Sequence, residues 1–137
     1  MKRWFILTFA LAGFLGCEPA PVPTPLPRAE SSIVEAIREE RSNVWLTTEG
    51  TVVKRLPDDR KGNPHQRFLI RVAGGTTVLV AHNIELAPRV PLNEGDQVEL
   101  RGEYEWNEKG GVLHWTHHDP KGRHQGGWIR HDGQTYR

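Results

Sequence analysis

The chain has 137 residues, 36% of them hydrophobic and 26% charged, with a formal net charge of +1 at pH 7. That length holds one domain rather than several, and the composition excludes both an integral membrane bundle and a disordered chain. A single cysteine excludes an internal disulfide and a multi-thiolate metal site. Of the 18 Lys and Arg residues, Lys2 and Arg3 fall in an N-terminal leader; the other 16 against 17 acidic residues leave a balance of −1. Bulk charge therefore does not favour nucleic acid or an anionic membrane surface as a partner.

Residues 1–16 read as an export signal: a basic start at Lys2 and Arg3, an apolar run from Trp4 to Leu15, then Gly16 directly before Cys17. The run is short for a transmembrane helix. With a small residue before the cysteine it resembles a bacterial lipoprotein signal, although Phe14 and Leu15 stand where such signals usually carry leucine and a small residue. The resemblance implies a lipid on Cys17, which becomes the new N-terminus. A lipid there attaches the protein to a membrane of the cell envelope, facing the periplasm. The alternative is an ordinary cleaved signal, a secreted protein and an incidental thiol. Residues 17–30 alternate prolines at Pro19, Pro21, Pro23, Pro25 and Pro27. They favour extended polyproline II and form a semi-rigid tether of about 35 Å. The remaining 31–137 form the folded domain.

In that domain Ser32-Ile33-Val34-Glu35 fits a capping box, and Ile33, Val34 and Ile37 form the apolar stripe of one short helix reaching about Arg41. From Val44 to Leu56 the pattern turns to β, with Gly50 as a bend in a strongly curved strand. Pro57 to Pro64 is dense in turn formers and reads as a loop before a strand at Arg67 to Val72. Ala73-Gly74-Gly75 closes a hairpin onto Thr76 to Ala81. His82 to Asn93, interrupted by Pro88 and Pro91, crosses one end of the structure. A half-buried strand with a bend at Gly102 carries Val98, Leu100, Tyr104 and Trp106, and Val112 to His118 returns as its partner. Trp128 to Tyr136 folds as a hairpin around Asp132-Gly133. One helix followed by about five short strands predicts a mainly β fold, a small Greek-key barrel of the OB type, with a sandwich or another small barrel as the alternative.

Candidate chemistry concentrates in histidines: His65, His82, and the run His114-Trp115-Thr116-His117-His118-Asp119-Pro120 followed by His124. If Val112 to His118 is a strand, His114 and His118 are about 13 Å apart along it and do not chelate one ion. A break near His117, where Pro120 pulls Asp119 out of the sheet, lets His117 or His118, Asp119 and His124 converge as a site for zinc or another divalent metal. His65 and His82 bracket one hairpin, so antiparallel pairing places both at one end of the sheet. Phe68, Ile70 and Val72 face one way. Arg67, Leu69 and Arg71 share the other face with His65, a basic surface suited to a phosphodiester or carboxylate. The competing reading makes the imidazoles a buried hydrogen-bond network with Asp119, Asn83 and Thr116 that fixes a loop. Trp106, Trp115 and Trp128 either stack on ligand rings or pack in the core. No Gly-rich phosphate loop, nucleophile elbow or His-Glu-x-x-His helix is present.

The stretches LPDDRKGNPHQRF, AHNIELAPRVPL, GDQVELRGEYEWN, GGVLHWTHHDP and the closing GGWI resemble domain-of-unknown-function family 3465, a bacterial family of small exported proteins. They span roughly Trp45 to Tyr136, and the resemblance implies a single compact envelope domain without an activity to carry over. A looser likeness to OB-type secreted nucleases rests on the curved first strand and the charged loop after it. Three functions follow from the residues. The first is an envelope lipoprotein whose barrel binds a ligand or metal at its histidine-rich end. The second is a metal-dependent hydrolase of phosphodiesters, with Arg67 or Arg71 neutralising the substrate. The third is a structural lipoprotein without a small ligand.

Overall fold

The computed structural model describes residues 32–137. The export signal, Cys17 and the proline tether lie outside the described residues.

The helix α1, Ile33–Arg38, starts as its capping box requires: Ser32 Oγ accepts from the Glu35 N–H at 3.2 Å, and Glu35 Oε2 accepts from the Ser32 N–H at 3.4 Å. It ends earlier than expected, because Glu40 turns to a φ of 52°. Less than two turns leaves room for one contact face, so Ile33 and Ala36 are buried and Val34 is exposed.

Seven strands follow: β1 (Val44–Asp59), β2 (His65–Arg71), β3 (Thr77–Asn83), β4 (Gln97–Glu105), β5 (Val112–His114), β6 (Trp128–His131) and β7 (Gln134–Tyr136). The order β1-β2-β3-β5-β4, with β4 pairing back onto β1, closes a ring of five strands in which only β3 and β5 are parallel. This is the OB-type Greek-key barrel that the strand pattern predicts. Closure depends on the length of β1. Its first half pairs with β4 from Val44 to Thr51, and its second half pairs with β2 from Thr51 onward, so the strand bends between two partners. At the bend an added Cβ on Gly50 would lie 3.1 Å from both Arg71 O and Ile70 Cβ. Period-2 alternation fills the ring: Leu46 and Val52 from β1, Phe68 and Ile70 from β2, Val78 and Val80 from β3, Leu100 and Tyr104 from β4 and Leu113 from β5 are buried.

Several boundaries differ from the sequence expectation. Pro57, Asp58 and Asp59, expected in a loop, belong to β1; two register shifts, at Val52/Lys54 and Leu56/Asp59, carry the strand on as an arm that pairs with β2 as far as Asp59 and His65. The strand expected to reach His118 stops at His114, because Trp115 adopts a φ of 55°. Residues 84–96 are irregular and close one barrel end with Ala87, Val90 and Leu92 buried. The last two strands make the expected hairpin, with Asp132 and Gly133 at φ 47° and 75°, as a two-residue turn of the primed type demands.

One relationship positions the histidine run. β1 occupies one edge of β4, and both β5 and β6 occupy the other: Glu103 pairs with His114, and two rungs along Arg101 pairs with Trp128. β5 and β6 thus form one interrupted line, and residues 115–127 loop out between them. Gly102 sits opposite the interruption, where a side chain would overlap His114 O. The loop is closed by the Gly127 N–H donating to His117 O at 2.8 Å.

Candidate histidine cleft

The looped-out segment leaves the outer end of β3 without a β5 neighbour, and a cleft of about 540 Å³ opens there. From the ring it takes His65, Asn83 and His114, from the β3–β4 connection Leu86, and from the loop Trp115, His117, Asp119, Lys121 and Arg123. Three of the predicted histidines therefore share one cavity.

His82 lies at the same end of the sheet as His65 but on the opposite face, since His65 pairs with Asn83 and Gln66 with His82. Parity with Val78 and Val80 points it into the barrel, where it is fully buried. Both ring nitrogens have partners: Nδ1 lies 2.8 Å from Thr116 Oγ1 and Nε2 lies 3.1 Å from Pro88 O. A carbonyl only accepts, so Nε2 carries the proton and Nδ1 accepts from the threonine hydroxyl. Burial pulls the His82 pKa from 6.5 to about 4, helped by the nearby His117 and His65 imidazoles and opposed by the Pro88 carbonyl. His82 is the neutral peg that fastens the loop to the ring.

His117 is buried behind the cleft with Nδ1 on His118 O at 2.7 Å, and burial lowers its pKa as well. Its ring centroid lies 5.4 Å from that of Trp115; Trp115 lies 4.2 Å from His124, which in turn lies 6.4 Å from Trp45. The four rings form a ladder from β1 across the loop. None of Trp106, Trp115 or Trp128 is fully buried; Trp106 packs against the edge of the core and Trp128 lies under the Arg130 guanidinium at 4.2 Å.

The metal site expected from His117 or His118, Asp119 and His124 is not brought together. Asp119 Oδ1 accepts the Lys121 N–H at 2.9 Å, while Oδ2 accepts those of Arg123 and His124 at 2.7 and 2.9 Å. These backbone bonds, that of Lys121 foremost, hold its carboxyl below the usual range and commit it to shaping the loop. His117 lines the cleft, whereas His118 and His124 line a separate depression with Arg101 and Gln125; Asp119 borders both, with its oxygens spent on the backbone. Among the described residues no group of three or more His, Cys, Asp or Glu side chains is placed to hold a metal ion. His114 Nε2 instead stands 3.8 Å from both Glu103 Oε2 and Glu105 Oε1.

The two arginines proposed for one basic face separate. Arg71 is exposed at the far end of β2, opposite Thr51 and Thr77, and Arg67 lines a second cleft on the other side of the β3–β4 connection. Sequence reasoning missed Trp45, Lys121 and Arg123. The charge of the last two was visible, but their place at the cleft depends on the Asp119 turn. It left aside His131, buried outside the cleft with Nε2 2.9 Å from Asp96 Oδ2.

No curated protein and no solved structure matches the chain. The sequence model of the family described as "Protein of unknown function (DUF3465)" matches residues 21–137, which include the whole ring, the loop and the cleft. The chain belongs to that family.

Proposed function

We propose that the domain is a non-catalytic binding module, held at the cell envelope by a lipid on Cys17, and that its ligand is a small ring-bearing acid seated in the histidine cleft. The observation that carries this reading is Trp115. A bulky residue at φ 55° costs of order 1 kcal/mol or more, and such strain concentrates where a side chain must be presented rather than packed. Here it breaks β5, opens the cleft and lays an indole along its wall between two imidazoles. Lys121 and Arg123 supply positive charge at the same wall, and Asp119, the one carboxylate lining the cleft, is occupied by backbone N–H groups. A hydrolase would need converging donors to activate water, and Asp119 is not available for that.

The test is a titration of the full chain with glucuronate and with nicotinate, followed by NMR of the indole and imidazole resonances. Saturable shifts at Trp115, His65 and His117, lost in Trp115→Gly, support the reading. No response to either acid, with Trp115→Gly unfolded, would favour a purely structural histidine network.

A further inference from the structure

A second cleft, of about 550 Å³, lies between the β1–β2 arm and the β3–β4 connection. Its lining joins Arg55 of β1, Arg67 of β2 and Arg89 of the connection, with Glu94 as the one acidic side chain. The average charge of the chain conceals this. Between Lys54 and Arg71 the chain carries Lys54, Arg55, Arg60, Lys61, Arg67 and Arg71 against Asp58 and Asp59.

The three guanidinium groups are differently committed. Arg89 forks onto Asp58, with Nη1 to Oδ1 at 3.2 Å and Nη2 to Oδ2 closer still, and this contact holds the Asp58 carboxyl below the usual range. That pair braces the connection against the arm and is largely neutralised. Arg67 donates Nε–H to Pro57 O at 3.0 Å, which fixes its plane and leaves the Nη groups to donate outward. Among the described residues neither Arg67 nor Arg55 has an ion-pair partner. Arg55 is exposed although its rung partner Phe68 is fully buried; it stands between the two register shifts of β1, and bulges of this kind twist a strand and re-aim its side chains.

The floor is preformed. Gln66 is buried and uses both ends of its amide on one residue of the connection: Nε2 donates to Val90 O at 2.7 Å and Oε1 accepts from the Val90 N–H at 2.9 Å. The connection that carries Arg89 is therefore latched to the strand that carries Arg67. Two cations without a direct ion-pair partner, on a fixed frame and outnumbering Glu94, suit an oxyanion. Arg55 and Arg67 come from opposite faces of the arm, as their rung partners Phe68 and Leu56 show. Both nevertheless line the one cleft, so they approach it from different directions, which fits a tetrahedral phosphate with oxygens on several sides better than a planar carboxylate, which one fork satisfies. No aromatic side chain lines this cleft, so stacking on a nucleobase is not part of it.

We infer that the cleft between the arm and the β3–β4 connection is a phosphate-binding site, separate from the histidine cleft, with Arg55 and Arg67 as ligand-binding groups and Arg89 as a positioning residue. The phosphate belongs either to a soluble phosphorylated small molecule or to a lipid head group, and the two sources are separated by experiment.

The full chain is titrated calorimetrically with pyrophosphate at constant ionic strength, beside Arg55→Gln/Arg67→Gln and the control Arg71→Gln, with folding checked by circular dichroism. The expected result is saturable binding by the parent and by Arg71→Gln, weakened about tenfold or more in the folded double variant, a loss of at least 1.4 kcal/mol. Absence of binding by the parent, or equal weakening in Arg71→Gln, overturns the site: the second result would be diffuse electrostatic attraction. Vesicles of phosphatidylglycerol, against phosphatidylcholine alone, are then added as competitors. Displacement of pyrophosphate by the anionic vesicles assigns the head group as the source, and undisturbed binding assigns the soluble ligand.

Discussion

Thr116 donates its hydroxyl to the Nδ1 of His82 at 2.8 Å, joining the first turn of the looped-out segment to the interior of the ring. Because burial lowers the His82 pKa from 6.5 to about 4, the unfolded chain takes up a proton in that interval and the folded one does not. Stability is therefore complete above about pH 6.5 and falls as the pH drops toward 4, by roughly 3 kcal/mol in all. His117, lowered in the same direction by burial, steepens the loss. Urea midpoints between pH 7.5 and 4 should show this slope, and His82→Gln should flatten it; an unchanged slope in that variant would assign the acid sensitivity elsewhere.

Loss of the Gln66 latch should be expensive. Gln66→Ala removes two buried hydrogen bonds and strands the Val90 N–H and C=O, a cost of about 3 kcal/mol. The Val90 amide should exchange with solvent far faster than the amides of β2, since the connection opens before the ring does. Global stability lost with no selective change at Val90 would mean that the latch supports the ring and not the connection.

Trp115→Gly should separate stability from binding. Glycine relieves the left-handed backbone, worth of order 1 kcal/mol, and forfeits the ring contacts to His117 and His124, worth about as much. The thermal midpoint should move by only a few degrees. Binding in the histidine cleft should disappear. A strongly destabilised variant would show instead that the indole is a packing element.

Two glycines differ sharply in what they tolerate. In Gly127→Ala the new Cβ would overlap the carbonyl oxygens of both Arg101 and Trp115, so the closure of the loop must open, at about 3 kcal/mol. Gly62 has open space around it and a φ of 76°, so Gly62→Ala should cost only backbone strain, about 1 kcal/mol. Denaturation of the two variants side by side tests the difference.

The ring was largely legible because its signals are local. Phe68, Ile70 and Val72 share one strand face against Arg67, Leu69 and Arg71 on the other, Ser32 and Glu35 spell their capping box, and Asp132-Gly133 spells its turn. What was not legible depends on distant partners. Pro57-Asp58-Asp59 has turn chemistry, and it extends as strand because β2 continues beside it across a bulge. Pro120 signals a break near His117, but nothing local reveals that the backbone already turns at Trp115 or that Gly127 will bond His117 O. His82 was readable as interior from its parity with Val78 and Val80 once β3 extends beyond Ala81. Thr116 was readable as a member of a buried imidazole network, and it meets His82 there; the approach of His124 to Trp45 was not, because no sequence spacing betrays it. Arg67 and Arg71 share a strand face, yet the arm's twist and the β3–β4 connection send them to different neighbourhoods.

Along the outer edge of β4, His114 and Trp128 occupy rungs that a single unbroken strand would fill with one residue between them. The thirteen residues from 115 to 127 are thus an interchangeable insert in an otherwise continuous ladder. They carry three of the five cationic or imidazole groups that line the histidine cleft, His117, Lys121 and Arg123, yet add no rung to the sheet. A substitute segment has few obligations: a glycine on β4 where it departs, another where it rejoins, and a hydroxyl to meet His82. Within those terms the ladder of β4 constrains neither the length nor the charge of the segment, so a replacement loop that keeps these three groups should leave the barrel folded.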